Sequence, residues 1–471
     1  MSKAENNEDS KMKKCVVKHK CKLHHGKLYR LIIRYFRFKM SLSPQQNLLL
    51  GFLTYTILGW LLLSLFFFHK QPVSMLDSLF IATSAISTTG LVTVSVFDTY
   101  NWFGQLIIMS LFQLGGVGYM TFTSFILLSN KSKLSNWRQK VLNAEFAMPR
   151  GFEIKVFIRS VIIFTIMIET IGAFILYKAF VNAGVEHNFA IWSGIYHSIS
   201  AFCTAGFGLY NDSFEQFANI KSINLILSSL SICGSLGFIV VTDFWNRLTR
   251  KSKEITYTTK TIFGVMLLLL ISGTLILYFC EPSIRDVEDR LMAAFFQTMT
   301  ALTTVGFNTV PIGSFSTGIL MVIIFLMNVG ASPSGTGGGM KSTTFTAIIA
   351  IIWNRLRNNL RVTFFGKTIP IERLYVATSV FILYSSVIFF SSLFLSVTEN
   401  FPLDQILFEV SSALGTVGLS TGITGGLSSI GKLIVIFVMF IGRLGILTFG
   451  LAILAKREEV KTFSEEADLV F

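Results

Sequence analysis

Four short segments of the sequence are variants of one pattern, Ala-x-x-Thr-x-Gly-Phe/Leu, at Ala85 to Leu91, Ala201 to Phe207, Ala301 to Phe307 and Ala413 to Leu419. Their glycines, Gly90, Gly206, Gly306 and Gly418, stand 100 to 116 residues apart, so a long unit recurs four times across most of the 471 residues. Four equivalent loops can surround one axis. A ring of backbone carbonyls around such an axis is one way for a membrane protein to replace the hydration shell of a cation.

The class follows from composition. Hydrophobic residues make up 52% of the chain, and runs of about 20 apolar residues suffice to cross a bilayer. Apolar stretches near 47–68, 103–128, 158–181, 222–243, 262–280, 318–352, 374–396 and 432–455 predict eight spans, two per repeat, of which only 318–352 is too long and glycine-broken for a simple helix. The net charge of +14 raises the question of nucleic acid, but 32 of the 40 Lys and Arg lie in 1–40, 131–159, 247–260, 355–373 and 456–461, on alternate connections. Such an arrangement puts both termini and those loops in the cytoplasm, so no nucleic-acid partner is expected. Residues 1–27 lack the apolar core of a cleaved signal, and 28–38 alternate arginines with aromatic and aliphatic residues, as suits a helix lying on an anionic leaflet or a solvated tail.

Each unit reads as a spanning helix, a helix too short to cross, the Thr-x-Gly turn and a second span. Met75–Ser87 and Ala293–Thr303 are examples of the short helix. Irregular backbone at membrane depth is tolerated only where it lines a water-filled cavity, so the four turns should face a shared pore. Glycine at positions 90, 206, 306 and 418 permits positive φ, which lets successive carbonyls point toward an axis. The negative C-terminal ends of the short helices would favour a cation there.

Other motifs carry less. Gly335 to Ser342 looks like a phosphate-binding loop, yet Met340 stands where glycine is required and no strand precedes it, so nucleotide binding is rejected. The stretch 330–342 instead predicts an unwound loop inside a long span. Arg443 and Lys341 are cations at membrane depth and are expected to face the pore, with snorkelling or a helix-end position as the plainer alternatives. Gln113, Asn328 and the Gly115-Gly116-Val117-Gly118 run read as helix-packing positions. Cys15, His19, Cys21, His24 and His25 fit no standard zinc spacing, and the five cysteines form no disulfide framework. No nucleophile, metal cluster or carboxylate pair points to an enzyme, and no metal or cofactor is expected in the chain.

Residues 45–460 resemble the Trk/Ktr/HKT superfamily of cation transporters, closest to the Ktr-type potassium-translocating membrane subunit. The likeness rests on the four Thr-x-Gly loops, on Asn328 to Thr344, and on Gly442-Arg443-Leu444-Gly445. It implies an all-α polytopic membrane protein of four helix–pore-loop–helix repeats around one pore, taking up potassium across the cytoplasmic membrane. The implied filter comprises Thr88, Thr89 and Gly90, Thr204, Ala205 and Gly206, Thr304, Val305 and Gly306, and Thr416, Val417 and Gly418. Glycine in all four loops goes with potassium preference in the superfamily. The implied gate is an intramembrane loop containing Gly330, Gly335, Gly337, Gly338, Gly339 and Lys341, working with Arg443. A homodimer docked on a cytoplasmic ring of nucleotide-binding regulatory subunits is also implied, with the nucleotide on that partner alone. Sodium activation stays open.

The expected organisation is a basic tail at 1–44, repeats at 45–130, 155–250, 258–355 (with a broken second helix) and 370–457, and a cytoplasmic C-terminus at 458–471. A sodium-selective channel of the same fold, a coupled carrier and a non-transporting receptor are the rivals. Carriers commonly place ionisable groups at the substrate site, and these loops have none.

Overall fold

The computed structural model describes residues 42–118, 121, 124, 154–250, 254–285, 287–330 and 332–454. The basic tail through residue 41, most of the 119–153 connection and residues 455–471 lie outside them, and so do the expectations placed there. The remainder forms one unit beginning at Pro44. Among the described residues its regular structure is helical apart from a hairpin of two-residue strands, Thr363–Phe364 and Lys367–Thr368, and one isolated bridge between His69 and Tyr100.

The helices follow one order four times: a long helix, a short helix, an extended loop and a second helix. The first set is α1 (Pro44–Leu63), α2 (Met75–Ile86) and α3 (Trp102–Val117). The second is α4 (Ile154–Asn182), α5 (His187–Phe202), α6 (Lys221–Ser235) and α7 (Phe238–Leu248). The third is α8 (Tyr257–Cys280), α9 (Arg290–Thr303), α10 (Thr317–Val329) and α11 (Ser342–Leu356). The fourth is α12 (Ile371–Thr398), α13 (Leu403–Gly415), α14 (Ser429–Leu444) and α15 (Ile446–Leu454). Among the described residues α4, α8, α12 and α1 are each long and apolar enough to cross a membrane.

The expected continuous spans at 222–243 and 432–455 are instead bent pairs, α6 with α7 at 94° and α14 with α15 at 97°. In all four units the second helix stops at a glycine with positive φ: Gly118 at 88°, Gly237 at 86°, Gly330 at 55° and Gly445 at 81°. A helical residue needs negative φ, so a left-handed glycine ends the hydrogen-bond ladder and redirects the chain. The break anticipated only in the third unit is therefore a property of all four. Three residues earlier stand Gly115, Gly234 and Gly442, where an added Cβ would collide with the carbonyls of Ile86, Phe202 and Leu414 near the ends of the short helices. Met327 takes that place in the third unit.

Contacts run from each unit to the next. The Trp192 indole on α5 donates to Gln105 on α3 at 2.8 Å, and Lys221 at the start of α6 pairs with Asp289, the N-cap of α9, at 2.9 Å. Thr317 at the start of α10 donates to Asp404 on α13 at 3.1 Å. Lys432 on α14 returns to Asp77 on α2 at 2.7 Å, with both side chains largely covered. The last unit thereby meets the first.

The outward faces are apolar. On α8, Leu268 and Phe279 are each 66% exposed, and α12 leaves Phe389, Phe390 and Phe394 uncovered. A lipid environment accounts for such belts where water would not. Exposed hydroxyls there are satisfied internally: Thr54, Thr170, Ser229 and Ser386 donate to the carbonyl four residues back at 2.7–2.8 Å. Hydrocarbon offers no partner of its own, so this local bond is what makes them tolerable.

Candidate functional site

Each short helix ends in the same way. Thr88, Thr204, Thr304 and Thr416 take φ of 52°, 50°, 59° and 49°, a left-handed conformation that a β-branched residue seldom adopts. The next residue's N–H turns back to the helix, with Thr89 donating to Ser84 O, Ala205 to Ser200 O, Val305 to Thr300 O and Val417 to Ser412 O at 2.8–3.1 Å. This is the long bond of a Schellman-type helix end. Because the amides face the helix, the loop carbonyls are free to point elsewhere. Gly90, Gly206, Gly306 and Gly418 follow with φ of 89°, 70°, 86° and 96°.

The four glycines close a ring. A Cβ built on Gly90 would lie 2.6 Å from Ala205 O. One on Gly206 would strike Val305 O, one on Gly306 Val417 O, and one on Gly418 Thr89 O. Each loop thus packs its glycine against the middle carbonyl of the next, in chain order, until the fourth returns to the first. Any side chain at these positions would force the carbonyls apart.

On one side of the ring all four glycines line a cavity of about 560 Å³ together with Asp212 and Glu215. Burial pushes the Glu215 carboxyl above its ordinary range, against a hydrogen bond from the Asn308 amide, and nearby Asp212 adds to the rise. A second cavity of about 360 Å³ is lined by Gly115, Gly116, Gly337, Gly339, Lys341 and Arg443. No residue lines both.

Between the two sits the glycine-rich loop joining α10 to α11. Its neck closes where Met340 N donates to Asn328 O at 3.0 Å and Gly330 meets Gly339 with no room for a Cβ on either. Its tip touches three of the four threonines. Thr336 Oγ1 bonds Thr204 Oγ1 at 3.2 Å, Gly338 N donates to Thr304 Oγ1 at 3.0 Å, and Gly338 packs against Gly415 O and Thr416 Oγ1. Ser332 Oγ reaches Leu236 O at 2.5 Å and Thr336 N donates to Gly234 O at 3.1 Å, tying the loop to the break in the second unit. Arg443 donates to Thr336 O, Gly115 O and Gly116 O, so its charge is held against carbonyls of the loop and of α3. Lys341 Nζ donates to Gly337 O at 2.8 Å.

The structure thus brings the twelve loop residues anticipated from sequence into one ring, and places Gly330, Gly335, Gly337, Gly338, Gly339, Lys341 and Arg443 together beneath it. Gln113 does more than pack helices, since it donates to Glu169 at 3.0 Å and accepts from the Cys203 thiol at 3.0 Å behind the second loop. Thr336 was not singled out, although it carries the bond to Thr204 and accepts from Arg443. A single threonine in a run of glycines gives no signal of its own.

The family described as "Cation transport protein" (TrkH) matches residues 53–464. The chain is 33% identical to "Ktr system potassium uptake protein B" of Bacillus subtilis (strain 168) over 424 residues, 89% of this chain and 94% of the relative. It is 34% identical to "Potassium/sodium uptake protein NtpJ" of Enterococcus hirae over 438 residues, 90% of this chain and 96% of that one. Among solved structures, the potassium transporter TrkH from Vibrio parahaemolyticus superposes with a TM-score of 0.71 at 20% identity, over 87% of this chain and 85% of that one. Matched over most of its length in both sequence and fold, the chain belongs to the TrkH family of cation transport proteins, a family of transporters rather than enzymes.

Proposed function

We propose that this chain takes up potassium across the cytoplasmic membrane through a filter made by its four Thr-x-Gly loops. The observation that carries the reading is the closed ring of Gly90, Gly206, Gly306 and Gly418 against the neighbouring carbonyls. Carbonyls freed by the Schellman-type ends can coordinate a dehydrated cation, and four short-helix C-termini converge there with their negative ends toward it. Four glycines leave the ring its full complement of carbonyls. The names of the relatives support potassium as the ion.

In this reading the 560 Å³ cavity is the outer vestibule and the 360 Å³ cavity the inner one. The glycine-rich loop, held by Thr204, Thr304 and Arg443, closes the path between them. Opening requires the loop to withdraw from the threonines, and its small residues let it move with little repacking. Both termini and the basic loops face the cytoplasm. A homodimer on a cytoplasmic ring of nucleotide-binding subunits drives the loop, and the nucleotide binds that partner. Sodium is the second ion to examine, because one relative is named a potassium/sodium uptake protein.

The test is growth rescue and rubidium uptake in bacteria lacking potassium uptake systems, with a nucleotide-binding partner co-expressed, comparing the native chain with Gly306→Ser. The native chain should restore growth at low potassium. Gly306→Ser, whose Cβ meets Val417 O, should lower the rubidium-to-sodium uptake ratio roughly tenfold or more, as expected for loss of one ion-binding position. Absence of uptake by the native chain sinks the reading.

A further inference from the structure

Seven residues before the loop threonine, three of the short helices carry a buried polar side chain: His197 on α5, Gln297 on α9 and Glu409 on α13. All three are 0% exposed. They differ in chemistry but do the same thing. Each reaches past the filter and holds the limb of chain that leaves it, two to six residues beyond the glycine.

His197 Nε2 accepts from Leu209 N at 3.0 Å, which leaves its Nδ1–H to donate to Ser193 O at 2.8 Å and fixes the tautomer. The Gln297 amide, turned so that both its oxygen and its nitrogen find partners, accepts from Thr309 N at 2.9 Å and Val310 N at 3.0 Å. Glu409 accepts from Ser420 Oγ at 2.9 Å and from Thr424 Oγ1, and no basic side chain pairs with it among the described residues. In the first unit the same position is Ile81, equally buried.

Ile81 is informative because it shows that an aliphatic side chain fits this place in the helix. Packing alone does not demand the polar residues. Burying a carboxyl without a cation costs free energy, so Glu409 is retained for what it holds. What it holds is coupled to the ring: every filter glycine rests on its neighbour's carbonyl, so a limb that shifts in one loop displaces the carbonyls of two.

We propose that His197, Gln297 and Glu409 are positioning residues that pin the outgoing limbs of the second, third and fourth loops and so set the ion selectivity of the ring. The first loop has no such side chain at the matching position, where Ile81 stands. The proposal rests on the filter reading above.

The test uses the full chain with its partner in the same uptake-deficient cells, reading the rubidium-to-sodium uptake ratio at matched membrane levels. Glu409→Leu and Gln297→Leu should each lower the ratio roughly five- to tenfold, the scale of one lost hydrogen bond, and Glu409→Gln, which keeps an acceptor, should stay within about twofold. Ile81→Leu should leave it unchanged. A side chain that only supported folding would lower the amount of protein and total uptake while leaving the ratio intact. If a leucine variant fails to reach the membrane, Thr424→Val removes the bond from the loop side; a comparable fall supports the proposal and an intact ratio overturns it. An intact ratio in Glu409→Leu and Gln297→Leu while Gly306→Ser shifts it rejects the positioning role alone. If Gly306→Ser leaves the ratio intact as well, the filter reading falls first.

Discussion

Thr336 joins the glycine-rich loop to the ring with one hydroxyl, bonded to Thr204 Oγ1 at 3.2 Å and to Phe202 O at 3.0 Å, while its carbonyl receives Arg443. Replacing it with valine keeps the shape and removes both hydroxyl bonds. Each is worth about 1 kcal/mol net, so under the gating proposed above the seated loop should lose roughly that much or more against a withdrawn one. Thr336→Val is therefore expected to raise rubidium uptake severalfold at equal membrane levels, and unchanged uptake would show that the hydroxyl does not restrain the loop. The ring residues were legible in the sequence because threonine and glycine recur at one spacing. His197, Gln297 and Glu409 were not, since three different side chains do one task and no letter repeats. Nor does the sequence disclose that the threonines are left-handed; only the short-helix ends reveal it.

At the scale of elements, the breaks at Gly118, Gly237, Gly330 and Gly445 set where each second helix stops. The third is legible in the sequence, where several glycines cluster inside an overlong span; the others are not, because the Gly115 to Gly118 run reads as helix packing and Gly237 and Gly445 fall within apolar stretches short enough for one span. Their common signal is position, 24 to 31 residues beyond the filter glycine and three residues after Gly115, Gly234, Met327 or Gly442. Gly237 shows what the break requires: with φ of 86°, its Cβ would lie 2.5 Å from Ser332 Oγ and 2.6 Å from Pro333 O. Gly237→Ala should destabilise the protein by about 1–3 kcal/mol, seen as a lower melting temperature in detergent. Gly264 on α8 has nothing within 4 Å of its Cβ, and Gly264→Ala should be neutral or mildly stabilising, by up to about 1 kcal/mol. Equal behaviour of the two variants would remove the bend from the list of structural requirements.

At the scale of the whole molecule, the units are linked in order by Trp192 to Gln105, Lys221 to Asp289, Thr317 to Asp404 and Lys432 to Asp77. The fourfold unit and the all-helical class could be read from spacing and hydropathy, but these links could not, because each joins residues remote in sequence by geometry alone. The links are also unequal. Lys221 is 69% exposed in its pair, whereas the side chains of Lys432 and Asp77 are 16% and 14% exposed. Exposed pairs contribute little, and removing one partner from a covered pair strands the other charge. Lys432→Met should lower stability by about 1–3 kcal/mol in a detergent melting experiment, and Lys221→Met should leave the melting temperature nearly unchanged. Equal losses would mean that the covered pair is no more important than the exposed one.

The pair between Lys432 and Asp77 joins residues 355 positions apart, while each of the other links joins neighbouring units. During synthesis those neighbouring contacts become available one after another as the chain emerges, whereas the closing contact waits until most of the fourth unit has been made. Long-range contacts of this kind form late. An unfinished chain consequently lacks the contact that brings its last unit to its first, and its ring of loops is incomplete until the fourth unit has been made.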